Sequence, residues 1–292
     1  MSTLRRFEYL VAVVDEGSFT RAAERLHVTQ PALSHQIRAL EHDAGGALLE
    51  RLPRAVRLTA MGRAMLPHAR AALADAERAV CAARQAAGLE AAELRVATVY
   101  SVSLGVLPPV LREWSRRHPG VAITLFEHRH TGELREAMLA GQADLAVGPR
   151  PDGWEGPVRT LGEEDFVVVL AANDPAAQGK SVRLADLADR GWVHYAPENG
   201  LAEVLDQACA AAGFTPRAAI RAAQTAAVPL LAAAGLGPAL VPSNVLPDDF
   251  AGAVRLPDPP VRRELTAYTR GTPDPVAEAF GELLAARAFQ EF

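Results

Sequence analysis

Along the first stretch of the chain, Leu4, Phe7, Leu10, Val11 and Val14 recur every three or four positions, and Gly17 follows them. That spacing predicts an amphipathic helix that stops at the glycine. Ser18 then stands where it caps a second helix, in which Phe19, Ala22, Ala23 and Leu26 fall at i, i+3, i+4 and i+7. The two alanines narrow this stripe, so another helix can approach closely. Thr29 caps a third helix and Pro31 is tolerated in its first turn, where a missing N–H has no intrahelical partner to lose. Only His27 and Val28 separate the second and third helices. Two short helices joined by so tight a turn predict a helix-turn-helix, and the second of the pair is the one that enters a DNA major groove.

The third helix divides by its own periodicity. With Leu33, Ile37 and Leu40 as its buried stripe, the opposite face presents Pro31, Ser34, His35 and Arg38, with Thr29 and Gln30 at the leading end. Gln pairs bidentately with adenine and Arg with guanine, Ser reaches base edges or phosphate, and Pro packs on a thymine methyl. For an arbitrary helix the plainer reading is a solvated face. The capped helix and tight turn just before it favour DNA. Beyond it, Arg51, Arg54 and Arg57 recur every third residue through a Pro-interrupted stretch ending at Leu58 and Thr59. This predicts a β-wing whose arginines reach phosphates or the minor groove, the alternative being solvated loop charges.

From Thr59 to Ala87 the pattern is helical again. Leu66, Ala69, Leu73, Ala76, Val80, Ala83 and Ala87 alternate spacings of three and four, the seam of a coiled coil. One long helix packed on its own domain is the alternative. A headpiece of this size has a marginal core and an Ala-rich seam needs a close partner, so the expectation is a second chain. Pro67 should bend the helix.

From Glu93 the period changes to short apolar runs alternating with helical segments: Leu94–Thr98, a helix through Trp114, Val121–Glu127, a helix through Leu139, and Asp144–Val147. This predicts βαβ organisation with parallel strands. A second series runs through Phe166–Leu170, Trp192–Tyr195, Leu236–Pro242 and Leu265–Tyr268, closing with a helix from about Pro275 to Phe289. Two α/β lobes are expected, with no internal repeat.

Charge refines the picture. The net charge is −5, but residues 1–58 and 59–90 each carry +1 and the remainder −7. A nucleic-acid site therefore belongs near the N-terminus, and the mildly positive head on an acidic body suits a specific reader over a non-specific binder. No apolar run approaches the ~20 residues of a membrane span, and the chain opens on Arg5 and Arg6 without a signal-peptide core. A cytoplasmic protein is expected. Cys81 and Cys209 lie far apart, which indicates neither a disulfide framework nor a metal site, and His35 and His42 share a helix face without further ligands. There is no Gly-x-Ser-x-Gly, no His-Glu-x-x-His and no phosphate-binding glycine loop, while Gly235-Leu-Gly237 lacks the third glycine of a dinucleotide fingerprint. An enzyme is not expected, nor is a cofactor. A transport-type binding protein would suit the C-terminal region alone, but the headpiece opposes it.

The run from Phe19 through Glu41, FTRAAERLHVTQPALSHQIRALE, followed by Arg57-Leu-Thr-Ala-Met-Gly62, resembles the signature of LysR-type transcriptional regulators nearly position for position. Leu49 departs from it, standing where the family usually has Phe, and Leu52-Pro53 departs in the wing. The resemblance implies a winged helix-turn-helix over residues 1–58, a linker and dimerisation helix over 59–90, and an α/β, periplasmic-binding-protein-like effector domain over 91–292. Lobe I would comprise about 91–163 with 267–292, and lobe II about 164–266, crossed by hinge strands near Leu161–Val168 and Arg263–Thr269. Gly235 through Pro242 fits the family's lobe II segment, with Pro238 where Ile or Val is usual. By the same resemblance Gln30, Pro31 and Ser34 are groove contacts, and Arg38, Arg51 and Arg54 are base or phosphate contacts. The implied partners are double-stranded promoter DNA, a second copy in an antiparallel homodimer, a homotetramer built from such dimers, and a small-molecule effector held between the lobes.

In such a domain ligands sit at strand C-termini and helix N-termini, where free N–H groups favour anions. Ser101 and Ser103 follow the first strand, Thr131 precedes the helix after the second, Asn199 precedes the helix after Tyr195, and Thr225 precedes the Ala-rich helix ending at Gly235. Each also serves as a plain helix cap. His128, Arg129 and His130 beside Thr131 point to a carboxylate-bearing effector, a solvated basic loop being the alternative.

Overall fold

A computed structural model describes residues 3–52, 55–86 and 92–288. It divides into two compact units, Met1–Ala92 with Glu136–Gln142, and Glu93–Arg135 with Ala143–Phe292.

In the first unit, α1 (Thr3–Glu16) buries Tyr9, Leu10, Ala12 and Val13 and ends where Gly17 adopts a left-handed φ of 59°. Leu4 and Val11, expected in the same stripe, lie on another apolar side of this helix. The hydroxyl of Ser18 accepts from Arg21 N at the start of α2 (Phe19–Arg25), and Thr29 accepts from Ala32 N at the start of α3 (Gln30–Ala44). His27 makes the tight turn with a φ of 54°, a left-handed conformation that His tolerates better than most side chains. Ala22, Ala23, Leu33, Ile37 and Leu40 close the core against α1. Gly45, at φ 82°, ends α3.

The wing is a hairpin of β1 (Leu49–Leu52) and β2 (Ala55–Leu58), with Glu50 opposite Arg57 and Leu52 opposite Ala55. It is braced from α3 by Glu41, whose Oε1 accepts from Leu48 N at 3.0 Å and Leu49 N at 3.2 Å. Leu49 is buried under it, filling the place where Phe is usual in the signature. Next comes α4 (Ala60–Ala86), which runs through Pro67. Thr59 donates to Ala47 O and accepts from Gly62 N, and a Cβ on Gly62 would stand 2.1 Å from Leu48 O. The Thr-Ala-Met-Gly tetrapeptide of the signature is therefore a joint that seats the long helix directly on the wing backbone.

The second unit holds two lobes on one sheet path. In lobe I, β3 (Ala92–Val99) lies between β4 (Val121–His128), which forms the edge, and β5 (Leu145–Gly148), to which it is parallel. Helices α5 (Tyr100–Gly105), α6 (Leu107–Arg117) and α7 (Thr131–Leu139) connect these strands. The 13-residue β6 (Val158–Leu170) then carries the chain into lobe II. There lie β7 (Ser181–Arg183), β8 (Gly191–Tyr195), α8 (Gly200–Ala211), β9 (Arg217–Ala222), α9 (Ala227–Ala233), β10 (Ala239–Pro242) and β11 (Ala253–Asp258). The return strand β12 (Arg262–Tyr268) pairs antiparallel with β6, and α10 (Pro275–Arg287) completes lobe I. Residues 158–165 of β6 pair with β12, and residues 166–170 pair with β10 and β11, so one strand serves both lobes. The core of lobe II gathers Phe166 to Leu170, Trp192, Tyr195, Leu205 and Val228.

Three strands, β7, β9 and β11, carry no strong apolar alternation and were not expected from the sequence. The run Leu236–Pro242 enters its strand only at Ala239. Gly237 adopts φ 136° in a loop pressed so closely on β8 that a Cβ there would lie 2.0 Å from Gly191 O.

Candidate functional site

The leading face of α3 exposes Thr29, Gln30, Pro31, His35 and Arg38 to solvent, contiguous and ungripped by the core. Ser34, expected among them, is only 5% exposed. It follows Leu33 directly and lies one turn before Ile37, so its short side chain sits at the edge of the buried stripe. Arg57 is exposed on the wing. The side chain of Arg51 and all of Arg54 fall outside the described residues.

The linker seam divides into two parts. α4 packs along α1, Arg70 pairs with Asp15, and Ala69 is fully buried within this unit. The expectation that a second chain covers Ala69 is thus corrected: the headpiece itself claims the small residue. Leu66 is half-buried. Further along, Leu73, Ala76 and the 51%-exposed Val80 line a groove of about 690 Å³ whose other wall is Leu4, Val11, Ala12 and Leu26. Ala87 falls outside the described residues.

Between the lobes of the second unit lies a polar cleft of about 30 Å³, room for about one water-sized group. Ser101, Thr131, Asn199 and Thr225 all line it, joined by Arg129, His130, Gly200 and Arg263. Ser103 does not. In a helix, residues two apart point about 200° from each other, so Ser103 faces away, its single hydroxyl proton within reach of Glu127 and Tyr100 O. Thr131 is the first helical residue rather than the cap. The cap is His130, whose Nδ1 accepts from Gly132 N at 3.1 Å and Glu133 N at 3.3 Å. Asn199 caps α8 through Leu201 N at 3.0 Å and donates to Thr225 Oγ1 at 3.2 Å. Gly200 N donates to Arg129 O at 2.9 Å, a backbone bond that ties the two lobes across the cleft.

Two residues central to this site escaped the sequence reading. Arg263 on β12 donates to Ser101 Oγ at 3.0 Å and, through Nε, to Glu164 Oε2 at 3.0 Å. Glu164, on β6 and fully buried, also accepts from Asn244 Nδ2 at 3.0 Å. The signal lay in complementary charge: Glu163-Glu164-Asp165 stands opposite Arg262-Arg263 on the two crossing strands. Of the basic trio expected to attract a carboxylate, Arg129 is paired with Glu133, and burial holds the His128 imidazole below its ordinary pKa. Among the described residues, no cluster of His, Cys, Asp and Glu could hold a metal, and no helix is long and apolar enough to cross a membrane. Cys209 is buried, and desolvation pushes its thiol up to about 12, which makes it unreactive.

A winged helix-turn-helix with an exposed polar reading face, followed by a two-lobed α/β domain with a polar cleft, defines a DNA-binding regulator that responds to a small molecule. This chain belongs to the LysR family of transcriptional regulators. Residues 4–63 match the bacterial regulatory helix-turn-helix protein, lysR family, and residues 87–288 match the LysR substrate binding domain. The chain is 34% identical over 244 residues to the HTH-type transcriptional regulator AlsR of Bacillus subtilis, covering 82% of this chain and 80% of that one. The crystal structure of CbnR, a LysR family transcriptional regulator, superposes with a TM-score of 0.71 at 28% identity, over 99% of this chain and 100% of that one. CbnR complexed with its target DNA gives 0.68 at 28% identity, over 98% of this chain and 100% of that one. The protein is a regulator and not an enzyme.

Proposed function

We propose that this chain reads promoter DNA through Gln30, Pro31, His35 and Arg38, with Thr29 and the wing arginines Arg51, Arg54 and Arg57 on the phosphates. The observation that carries the reading is the solvent-exposed run at the head of α3, held at a fixed angle by the Thr29 cap and the Glu41 brace. It acts in the cytoplasm as a homodimer paired through Leu66, Leu73, Ala76 and Val80 of α4, and dimers associate into a homotetramer. Residues 1–58, 59–90 and 91–292 are its reading, pairing and sensing segments, with lobe I at about 91–163 and 267–292 and lobe II at about 164–266. A small carboxylate-bearing effector enters the cleft at Ser101, Thr131, Asn199 and Thr225, and shifts the population of lobe or subunit arrangements without chemistry.

Fluorescence anisotropy with the chain's own upstream DNA tests the reading head. Gln30→Ala and Arg38→Ala should each weaken specific binding by about 1–3 kcal/mol while leaving the oligomer intact. Unchanged affinity in both would remove α3 from the groove. Ser34→Ala should cost less, in keeping with its burial.

A further inference from the structure

The cleft is polar but nearly neutral, and the reason lies in how its donors are arranged. Ser101 and Thr225 are 2% and 3% exposed, and both line the same small space. Each hydroxyl oxygen already accepts a hydrogen bond, Ser101 from Arg263 at 3.0 Å and Thr225 from Asn199 at 3.2 Å. A hydroxyl that accepts still has one proton to give. Among the described residues neither proton has a protein acceptor, so two buried donors are left for a ligand that brings lone pairs. The positive charges are matched one for one: Arg129 by Glu133 and Arg263 by the fully buried Glu164. Asn244 fixes the second oxygen of Glu164, so this carboxylate is held in place at the strand crossing and cannot swing away from Arg263 without losing both bonds.

We propose that the buried Glu164–Arg263 pair sets the charge selectivity of the inter-lobe cleft. The pair aims the Ser101 proton at the ligand and leaves no uncompensated cation, so the two hydroxyl protons of Ser101 and Thr225 serve the two oxygens of one carboxylate and nothing remains to offset a second. This rests on the reading of the cleft as the effector site and narrows the class of molecule it takes. Arg263 and Glu164 are positioning residues: the ligand meets Ser101 and Thr225, and the pair behind them decides how many negative charges the site tolerates. A second carboxylate brought into this space would face Glu164 with no free cation to offset it.

The test is thermal-shift titration of the full chain with propionamide, propionate and succinate, which carry no, one and two negative charges, succinate being propionate with a second carboxylate on its terminal carbon. Propionate should bind about tenfold more tightly than succinate, and more tightly than propionamide. Glu164→Gln should shift the succinate-to-propionate ratio about tenfold toward succinate, because it frees one positive charge. Glu164→Gln combined with Arg263→Gln should return the ratio to that of the natural chain. Since the single variant leaves a buried guanidinium unpaired, the double variant and the ratio measured in the natural chain each stand as tests without it. Succinate binding as tightly as propionate, or a ratio unmoved by both variants, overturns the charge filter and leaves the cleft reading in place. Failure of all three probes to bind, or binding that survives Ser101→Leu, overturns the cleft reading and the filter with it.

Discussion

The reading helix and the cleft obtain their function from opposite kinds of sequence information. In the headpiece the major-groove candidates fall within one unbroken run, and a helical wheel sorts them, with Ser34 the exception. In the cleft the polar groups come from five separate segments, and the bond that organises them joins Ser101 to Arg263 across 162 positions. A local site is fixed by periodicity and caps, whereas a cleft is fixed by which strands cross, and crossing is a property of the whole fold.

The largest effect should come where the local pattern meets a second chain. Leu73→Asp places one charge in each chain on the groove wall formed by Leu73, Ala76 and Val80, at several kcal/mol per buried ion once the two chains pair. Multi-angle light scattering should then show the monomer, and operator affinity should fall because two half-sites need two heads. An intact oligomer would remove α4 as the interface. Next in size is Gly62→Val, whose Cβ would meet Leu48 O and Leu58 Cδ2. A cost of about 3 kcal/mol is expected. Chemical denaturation followed by circular dichroism would read it, and an unchanged midpoint would show that the joint between wing and linker yields freely.

Ser101→Leu sharpens the contrast from the other side. It should abolish effector response while leaving operator binding without effector within about twofold, since α3 and the cleft belong to different compact units. Loss of basal operator binding would mean the two sites are not separable. The smallest effect concerns His128. Burial lowers its pKa, so the folded chain takes up this proton less readily than the unfolded one. Its contribution to stability is present above about pH 6.5, the ordinary value, and is lost as the pH falls below it. His128→Gln should flatten that part of the melting temperature against pH between 7 and 5.5; an identical slope would assign the loss to other groups.

How far the fold was legible follows the same division. Gly17, Ser18 and Thr29 mark the headpiece helices within a residue or two because caps are local chemistry. The strands β7, β9 and β11 were missed because most of their inward positions are only half-buried, so burial alternates in the fold without a matching apolar alternation in residue type. Ser101, Thr131, Asn199 and Thr225 read in the sequence as helix caps; only Asn199 caps its helix, the N-caps of α5 and α9 being Val99 and Ala226, but all four line the same cleft. The caps could not show that Ser103 faces the other way, that His130 takes over the capping of α7, or that Glu164 and Arg263 stand behind the site. Arg263 reads in the sequence as the first residue of a hinge strand, one of two adjacent charges, and only its register against Glu164 turns it into a buried anchor. Ala69 taught a similar lesson. A heptad seam says that a residue will be covered, but not by which chain.

The bond from Gly200 N to Arg129 O has a kinetic meaning. On the proposed reading of the cleft, the tied lobes leave about 30 Å³, and an effector larger than that takes its place at Ser101 only as the lobes part. It must wait until the hinge opens. The observed rate of response should therefore rise with effector concentration only to a plateau, and that plateau is the opening rate itself. The apparent affinity is likewise weaker than the intrinsic one by the fraction of time the lobes stand apart. A cell can then tune the threshold of this switch without touching a single ligand contact, by any substitution that makes the backbone tie easier or harder to break.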